Sequence, residues 1–280
     1  MTSRRDILRA IAEPLVGLYG EREARSIALL AASELSDLPE AAFLTDPQAA
    51  VEIDGLATAV ERLAAGCPVQ YVTGRAQFLG RKFAVREGVL IPRPETEELV
   101  AWMLRAERDA AAILDVGTGS GCIAVTLAAE LPRTKVAAVD ISPTALTVAE
   151  ENSRTFGATV ELRQADMLDD LASVFAGPFD VIVSNPPYVP QRDRATMHPN
   201  VRDHEPAEAL FVPDDDPLLY YRAIAQAGRK LLRTGGRLYF EIYHLHADAL
   251  CALLAEEGYA DTEVRRDLFG KPRMLCSRKS

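Results

Sequence analysis

The sequence predicts an α/β chain in which a short helical segment precedes a mostly parallel sheet covered by helices on both faces. Three observations carry this reading. Apolar runs of strand length alternate with helical stretches beyond Ala110. A glycine-rich turn follows the first of those runs, and an Asn-Pro-Pro-Tyr turn follows the fourth. Strands buried on both faces read as short apolar runs, and their alternation with helices marks a parallel sheet.

The elements follow in chain order. Ile7, Leu8, Ile11, Leu15 and Leu18 recur on one helical face, with Pro14 placed to kink it. Ile27, Leu30, Ala31 and Leu35 repeat the pattern until Ser36-Asp37-Leu38-Pro39 breaks it. A further helix is expected from Val51 to Ala65, ending at Gly66. Residues 1–66 therefore read as a helical bundle. Acidic side chains outnumber basic ones over residues 1–80, so this segment is not a basic arm for DNA.

From Val69 to Ile91 the sequence turns to β-like stretches separated by Gly74, Gly80 and Gly88, and residues 67–92 read as a hairpin linker. Residues 93–280 form the expected main domain. Its first helix starts at Pro94, where proline suits the first turn and Glu95, Glu97 and Glu98 suit the positive end of the dipole. Strands are expected at Ala112–Val116, Val136–Asp140, Val160–Arg163 and Val181–Ser184, then at Arg237–Ile242 after Gly235-Gly236. Two more are expected around Thr262–Val264 and Arg273–Cys276. Residues 189–217 are long for a connection and read as a lid or binding loop.

Composition narrows the function. With 280 residues the chain can hold one large and one small domain, and 48% hydrophobic with 26% charged residues is the balance of a globular protein. A net charge of −10 argues against a surface built wholly for nucleic-acid phosphates. Cys67, Cys122, Cys251 and Cys276 have no paired spacing, so reduced thiols are expected and no metal site. No apolar run reaches the roughly 18 residues of a membrane span. Glu13 interrupts what would have to be a signal-peptide core, and a cytoplasmic location is expected.

Asp115-Val116-Gly117-Thr118-Gly119-Ser120-Gly121 follows a strand and opens a helix. Glycines let backbone approach a ligand closely, and a helix N-terminus presents free N–H groups. Asp140 ends the next strand, where an acid can accept hydrogen bonds from both hydroxyls of a ribose. The spacing separates ligand classes. A dinucleotide fingerprint places its third glycine one residue later, where Cys122 stands, and no lysine follows to make a P-loop. The pattern resembles the cofactor loop of class I S-adenosylmethionine methyltransferases. That resemblance implies the Rossmann-like class I methyltransferase fold, a seven-stranded mostly parallel sheet. It implies too that Asp115, Gly117, Thr118, Gly119, Ser120, Gly121 and Asp140 bind the cofactor, with Asp166 facing the adenine amine and Met167 beside the ring. A core methionine is the alternative for Met167.

Ser184-Asn185-Pro186-Pro187-Tyr188 is the most specific feature. Two prolines after an apolar strand set two φ angles and remove two donors, so the backbone is stiff and its carbonyls are free. A carboxamide nitrogen is a poor nucleophile because its lone pair is delocalised into the carbonyl. Accepting hydrogen bonds from both its hydrogens positions it and relieves that delocalisation. Asn185 through its side-chain oxygen and Pro186 through its carbonyl are suited to this, and Tyr188 can stack on the planar group. The same turn serves enzymes acting on exocyclic amines of adenine or cytosine and enzymes acting on glutamine.

Further segments choose between them. Pro68-x-x-Tyr71-x-x-Gly74, Ile91-Pro92-Arg93-Pro94-Glu95-Thr96-Glu97, and Val201-Arg202-Asp203-His204-Glu205-Pro206 running on to Ala209-Leu210-Phe211 resemble the release factor glutamine methyltransferase family, often called HemK or PrmC. The resemblance spans residue 68 to about residue 275. It implies methylation of the glutamine in the Gly-Gly-Gln loop of class I release factors, with S-adenosyl-L-methionine as donor and S-adenosyl-L-homocysteine as product. Asn185, Pro186 and Tyr188 would be catalytic, and Asn185 would also touch the cofactor. Asn185, Pro186, Pro187 and Tyr188 would hold the glutamine, with Arg93, Glu95 and Glu205 lining the cleft. For Arg93 and Glu205 an ordinary salt bridge is the alternative. A monomer without membrane or DNA partners is expected.

One stretch departs from the family. Many members follow the strand at Glu241 with an apolar residue, glycine and then glutamine, but here Ile242-Tyr243-His244-Leu245-His246 stands. Two histidines without a third ligand read as surface residues rather than a metal site. Competing readings are an adenine methyltransferase, which would need a basic groove and a target-recognition domain, a nicotinamide oxidoreductase, and a non-catalytic binding module.

Overall fold

The computed structural model describes residues 2–280. They form two compact units, one of residues up to Arg75 with 85–87 and 197–204, the other of 76–84, 88–196 and 205–280.

The first unit is helical. Helices Arg4–Ala12, Val16–Ser36, Glu40–Thr45, Leu56–Ala64 and Val69–Thr73 surround a core that includes Ile7, Ile11, Leu15, Ala28, Phe43 and Leu63. Ser3 caps the first helix, its hydroxyl accepting the Asp6 N–H at 3.2 Å. Pro14 sits in a 3-10 turn over Glu13–Leu15. That tighter turn shifts the helical phase, so Leu18 emerges half-exposed rather than on the buried face with Ile7 and Ile11. The helix expected from Val51 begins only at Leu56, because Ala50–Val51 pairs with Thr2–Ser3 as a short antiparallel ladder. Val69–Thr73, β-like in sequence, is one helical turn closed by the Thr73 hydroxyl on the Val69 carbonyl at 3.0 Å.

The second unit contains the seven-stranded sheet: β1 (Ala112–Val116), β2 (Lys135–Asp140), β3 (Val160–Gln164), β4 (Phe179–Ser184), β5 (Leu232–Glu241), β6 (Tyr259–Arg266) and β7 (Pro272–Lys279). Its order is β6-β7-β5-β4-β1-β2-β3. Strands β1 to β5 pair in parallel, and β7 runs antiparallel to both β5 and β6. Five helices cover it: α1 (Pro94–Ala106), α2 (Cys122–Glu130), α3 (Pro143–Thr155), α4 (Leu219–Leu231) and α5 (Ala247–Glu256).

Side chains alternate between the two faces, and both faces are buried. Leu114, Val116, Ile182, Leu238 and Phe240 pack with Tyr221 and Ile224 of α4 and Leu250 of α5. Ile113, Val181, Val183 and Tyr239 pack with Leu99 and Met103 of α1 and Ile123 of α2. Continuous apolar runs such as Val181 to Val183 are therefore what this sheet requires. Strand β5 starts five residues before Arg237, and a shift of register between Leu232 and Arg237 absorbs Gly235-Gly236. The stretch from residue 189 carries short elements, including a parallel pairing of Val189–Pro190 with Phe211–Val212. No helix among the described residues is long and apolar enough to cross a membrane.

Candidate active site

The strand order sets the location. Strand β1 carries β2 on one side and β4 on the other, so the connections from β1 and β4 leave in opposite directions and open a crevice at their C-terminal ends. A cavity of about 450 Å³ lies there, within the roughly 300–1,000 Å³ of small-ligand sites. Its wall includes Arg93, Gly117, Thr118, Gly119, Ser120, Asp140, Met167, Asn185 and Pro187.

The glycine turn is held from several sides. The N–H groups of Gly117 and Thr118 donate to the Val139 carbonyl at 2.8 and 3.1 Å. Gly119 donates to Asp140 Oδ2 at 2.8 Å, and Ser142 donates to Asp140 Oδ1 at 2.9 Å. The backbone N–H groups of Ser142, Gly119 and Ile141 together fix this carboxylate at the mouth of the turn. Burial raises the Asp140 carboxyl above the ordinary carboxylate range, and those N–H groups oppose the rise. Asn152 of α3, fully buried, donates to the Ser120 carbonyl at 2.8 Å and the Ala84 carbonyl at 3.0 Å, and accepts the Ala84 N–H at 2.7 Å. Nothing in its sequence neighbourhood marks Asn152, since a polar residue in a helix normally faces water.

Several expected cofactor residues stand elsewhere. Asp115 does not line the cavity: it is fully buried under the turn, accepting the Thr118 hydroxyl at 2.7 Å, and burial pushes its carboxyl up to about 7. Gly121 is the N-cap of α2 and lies against α3 rather than the cavity. Asp166 turns its Oδ1 to the Leu168 N–H at 2.9 Å and shapes the turn that presents Met167. Its side chain lies outside the lining, whereas Ile141, Ser142 and Thr144 from the β2–α3 turn are within it.

The Asn-Pro-Pro-Tyr turn leaves β4 at Ser184, whose hydroxyl is bonded to the Val116 carbonyl of β1 at 2.5 Å. Asn185 reaches the cavity, and its Nδ2 donates to the Thr96 hydroxyl at 3.2 Å. Thr96 in turn donates to Glu241 Oε2 at 2.6 Å, and the Tyr188 hydroxyl donates to Glu241 Oε1 at 2.9 Å. Tyr188 is outside the cavity lining and stacks on Tyr243, with centroids 6.0 Å apart and planes 16° apart. Burial raises the Glu241 carboxyl, and the bonds from Thr96 and Tyr188 oppose the rise. Thr96 and Glu241 were not among the expected site residues. The available signal was an acid ending the apolar run Leu238-Tyr239-Phe240, because a lone carboxylate is rarely buried without partners.

Glu205 is buried, with Oε1 accepting from Arg93 Nη2 at 2.7 Å and Oε2 from the Ile91 N–H at 3.1 Å. Arg93 lines the cavity, and Glu205 acts behind it as its counter-ion. Glu95 is half-buried, off the lining, and contributes charge near Glu241 and Arg273. His244 and His246 pack edge-on to Tyr243 with centroids 5.0 and 5.2 Å away. Among the described residues no group of three or more histidine, cysteine or acidic side chains could hold a metal.

The family model described as methyltransferase small domain matches residues 95–202. The chain is 47% identical over 218 residues to the release factor glutamine methyltransferase of Bacteroides thetaiotaomicron, covering 78% of each chain. It is 36% identical over 275 residues to that of Flavobacterium psychrophilum, covering 94% of each. Among solved structures, a methyltransferase from Pyrococcus furiosus aligns with a TM-score of 0.54 at 16% identity, over 72% of this chain and 90% of that one. The sheet and its helices are the Rossmann-like class I methyltransferase fold.

Proposed function

The chain belongs to the release factor glutamine methyltransferase family, and on that footing we propose that it transfers a methyl group from S-adenosyl-L-methionine to the side-chain nitrogen of the glutamine in the Gly-Gly-Gln motif of a class I release factor. The observation that carries the reading is the sharing of one cavity by Asp140 and Gly119 on one side and Asn185 on the other. A nucleoside holder and an amide holder at opposite walls are what a methyl transfer between them requires.

The lining fits the donor. Asp140 offers its carboxylate to ribose hydroxyls, Met167, Ile141 and Ala145 offer apolar surface to a ring, and the turn from Gly117 to Ser120 offers backbone to a polar tail. When bound, S-adenosyl-L-methionine supplies a methyl group on a sulfonium, an electrophile that needs no metal. Asn185 Oδ1 and the Pro186 carbonyl accept the two hydrogens of the glutamine amide and hold its nitrogen toward the donor. Positioning of this kind is worth on the order of 7–11 kcal/mol in ideal intramolecular cases. Pro187 stiffens the turn, and Tyr188 holds it from behind through Glu241. No strong base is needed before transfer, because the nitrogen sheds its proton afterwards. Arg93, charge-paired to Glu205, lines the approach. Release factors act at the ribosome, so a cytoplasmic location follows from this substrate.

The names of the relatives support glutamine over the adenine reading. Incubation with labelled methyl donor and a folded release factor, followed by mass mapping, tests the proposal. Label on the Gly-Gly-Gln glutamine is the expected result. Label transferred as fast to adenine in DNA, or an unmodified glutamine, would overturn it.

A further inference from the structure

We infer that Glu241 and Thr96 are positioning residues that dictate which end of the Asn185 side chain faces the acceptor. The inference rests on the reaction proposed above; Glu241 lies outside the cavity lining, and Thr96 is part of it with Asn185. Glu241 is 1% exposed and Thr96 2% exposed, and they lie 145 positions apart in the chain.

The argument is one of donors and acceptors. An ionised carboxylate only accepts hydrogen bonds. Thr96, 2.6 Å from Glu241 Oε2, must therefore spend its single proton there. The Thr96 oxygen is left as an acceptor, and the side-chain atom of Asn185 that meets it at 3.2 Å must be the nitrogen. Asn185 Oδ1 is then the end available to an acceptor amide. The opposite orientation would turn an N–H₂ group toward another N–H₂ group, and the substrate nitrogen would be repelled. An asparagine amide has nearly the same shape either way round, so sterics alone do not choose. The charge on Glu241 does, relayed through one hydroxyl. The second oxygen of Glu241 takes the Tyr188 proton at 2.9 Å and anchors the other end of the same turn. One buried carboxylate thus sets both the polarity and the position of Asn185-Pro186-Pro187-Tyr188.

The test uses full-length protein with Thr96→Val, Thr96→Ser and Glu241→Gln. Thr96→Val keeps the shape and removes the relay; Thr96→Ser keeps the relay. Glu241→Gln keeps the shape but can donate, which releases the Thr96 proton toward Asn185. We expect kcat on a release factor to fall about 100-fold in Thr96→Val, the scale of a misplaced reacting group. Glu241→Gln should lose about tenfold, since only part of its population inverts. Thr96→Ser should stay close to wild type, and the dissociation constant for S-adenosylmethionine should move less than about twofold throughout. A second readout needs no acceptor: the Asn185 side-chain amide signal in a ¹H–¹⁵N spectrum, identified by its loss in Asn185→Asp. It should be protected from solvent exchange in wild type and Thr96→Ser and exposed in Thr96→Val. Near-wild-type kcat in Thr96→Val, or an Asn185 signal unchanged by it, overturns the inference. Should Glu241→Gln fail to fold, the two Thr96 variants decide alone. Wild-type protein that leaves a release factor unmodified, with the amide signal responding as expected, refutes the acceptor assignment and not the positioning.

Discussion

Replacing Gly121 and Gly119 separately by alanine should divide stability from ligand binding within a single turn. Gly121 has φ +79°, and a Cβ there would stand 3.0 Å from Ala149 Cβ, 3.1 Å from Ala149 Cα and 3.1 Å from Val125 Cγ2. Ala149 and Val125 are both fully buried, and the Ala149 backbone belongs to α3, so the contact cannot be relieved by a rotamer change. A left-handed alanine costs about 1–2 kcal/mol and overpacking about 1–3 kcal/mol, so Gly121→Ala should lose about 2–5 kcal/mol. Gly119 has φ +57° with no atom within 4 Å of a built Cβ, so Gly119→Ala should lose only the backbone component, about 1–2 kcal/mol. Gly119 does line the cavity, however, and an added methyl group there would intrude on the space assigned to S-adenosylmethionine. Its dissociation constant for S-adenosylmethionine should rise by about tenfold or more, the equivalent of a modest overpacking penalty. The single tryptophan, Trp102, is buried in α1, so its fluorescence in urea reports the sheet-containing unit. Calorimetry gives the affinities. Equal urea midpoints for the two variants, or a larger loss of stability in Gly119→Ala, would refute the reasoning.

Three further outcomes are expected. Asp140→Ala should weaken S-adenosylmethionine binding by at least tenfold, because a hydrogen bond to a charged group is worth about 1.5–3 kcal/mol; an unchanged calorimetric constant in folded protein removes Asp140 from the site. Asn185→Ala should cut the single-turnover rate about 10²–10³-fold while sparing cofactor affinity, and a near-normal rate would remove it from the mechanism. The third concerns pH. Burial raises the Glu241 carboxyl above the ordinary 4.5, with Glu95 adding to the rise and Thr96, Tyr188 and Arg273 opposing it. Protonation removes the acceptor that sets Asn185, so kcat at saturating cofactor should fall as pH drops through that raised value. The limb should be absent in Glu241→Gln. Saturation matters because the Asp140 carboxyl is also raised by burial.

Much of the fold was readable in advance. Residues 112–116 are a strand at the expected bounds, and five of the other six expected strands lie wholly within observed ones, because apolar runs bounded by glycine or proline have few other ways to bury themselves. The sixth, expected at Arg237–Ile242, ends one residue earlier. The glycine turn and the Asn-Pro-Pro turn could be placed at strand ends for the same local reason. Less readable were Val69–Thr73, whose β-branched residues favour strand while tertiary packing keeps one helical turn, and Leu18, displaced from the core by the 3-10 turn at Pro14.

The sequence by itself determined the backbone of this protein's chemistry: which strands form, where the glycines and prolines stiffen or open the chain, and that Asp140 ends its strand and Asn185 directly follows its own. Those are local properties, written in a few neighbouring residues. Only the tertiary structure decided which polar groups face a ligand and which hold the ones that do. Asp115 and Asp166, inside or beside the motifs, turn their carboxylates to Thr118 and to the Leu168 N–H. Thr96, inside the Ile91–Glu97 segment but unmarked there, and Glu241 and Asn152, outside any motif, hold Asn185, Tyr188 and the Ser120 carbonyl. The reason is that a buried polar atom must find a partner wherever the packing brings one, and sheet order, not sequence distance, brings β5 and α1 to the end of β4.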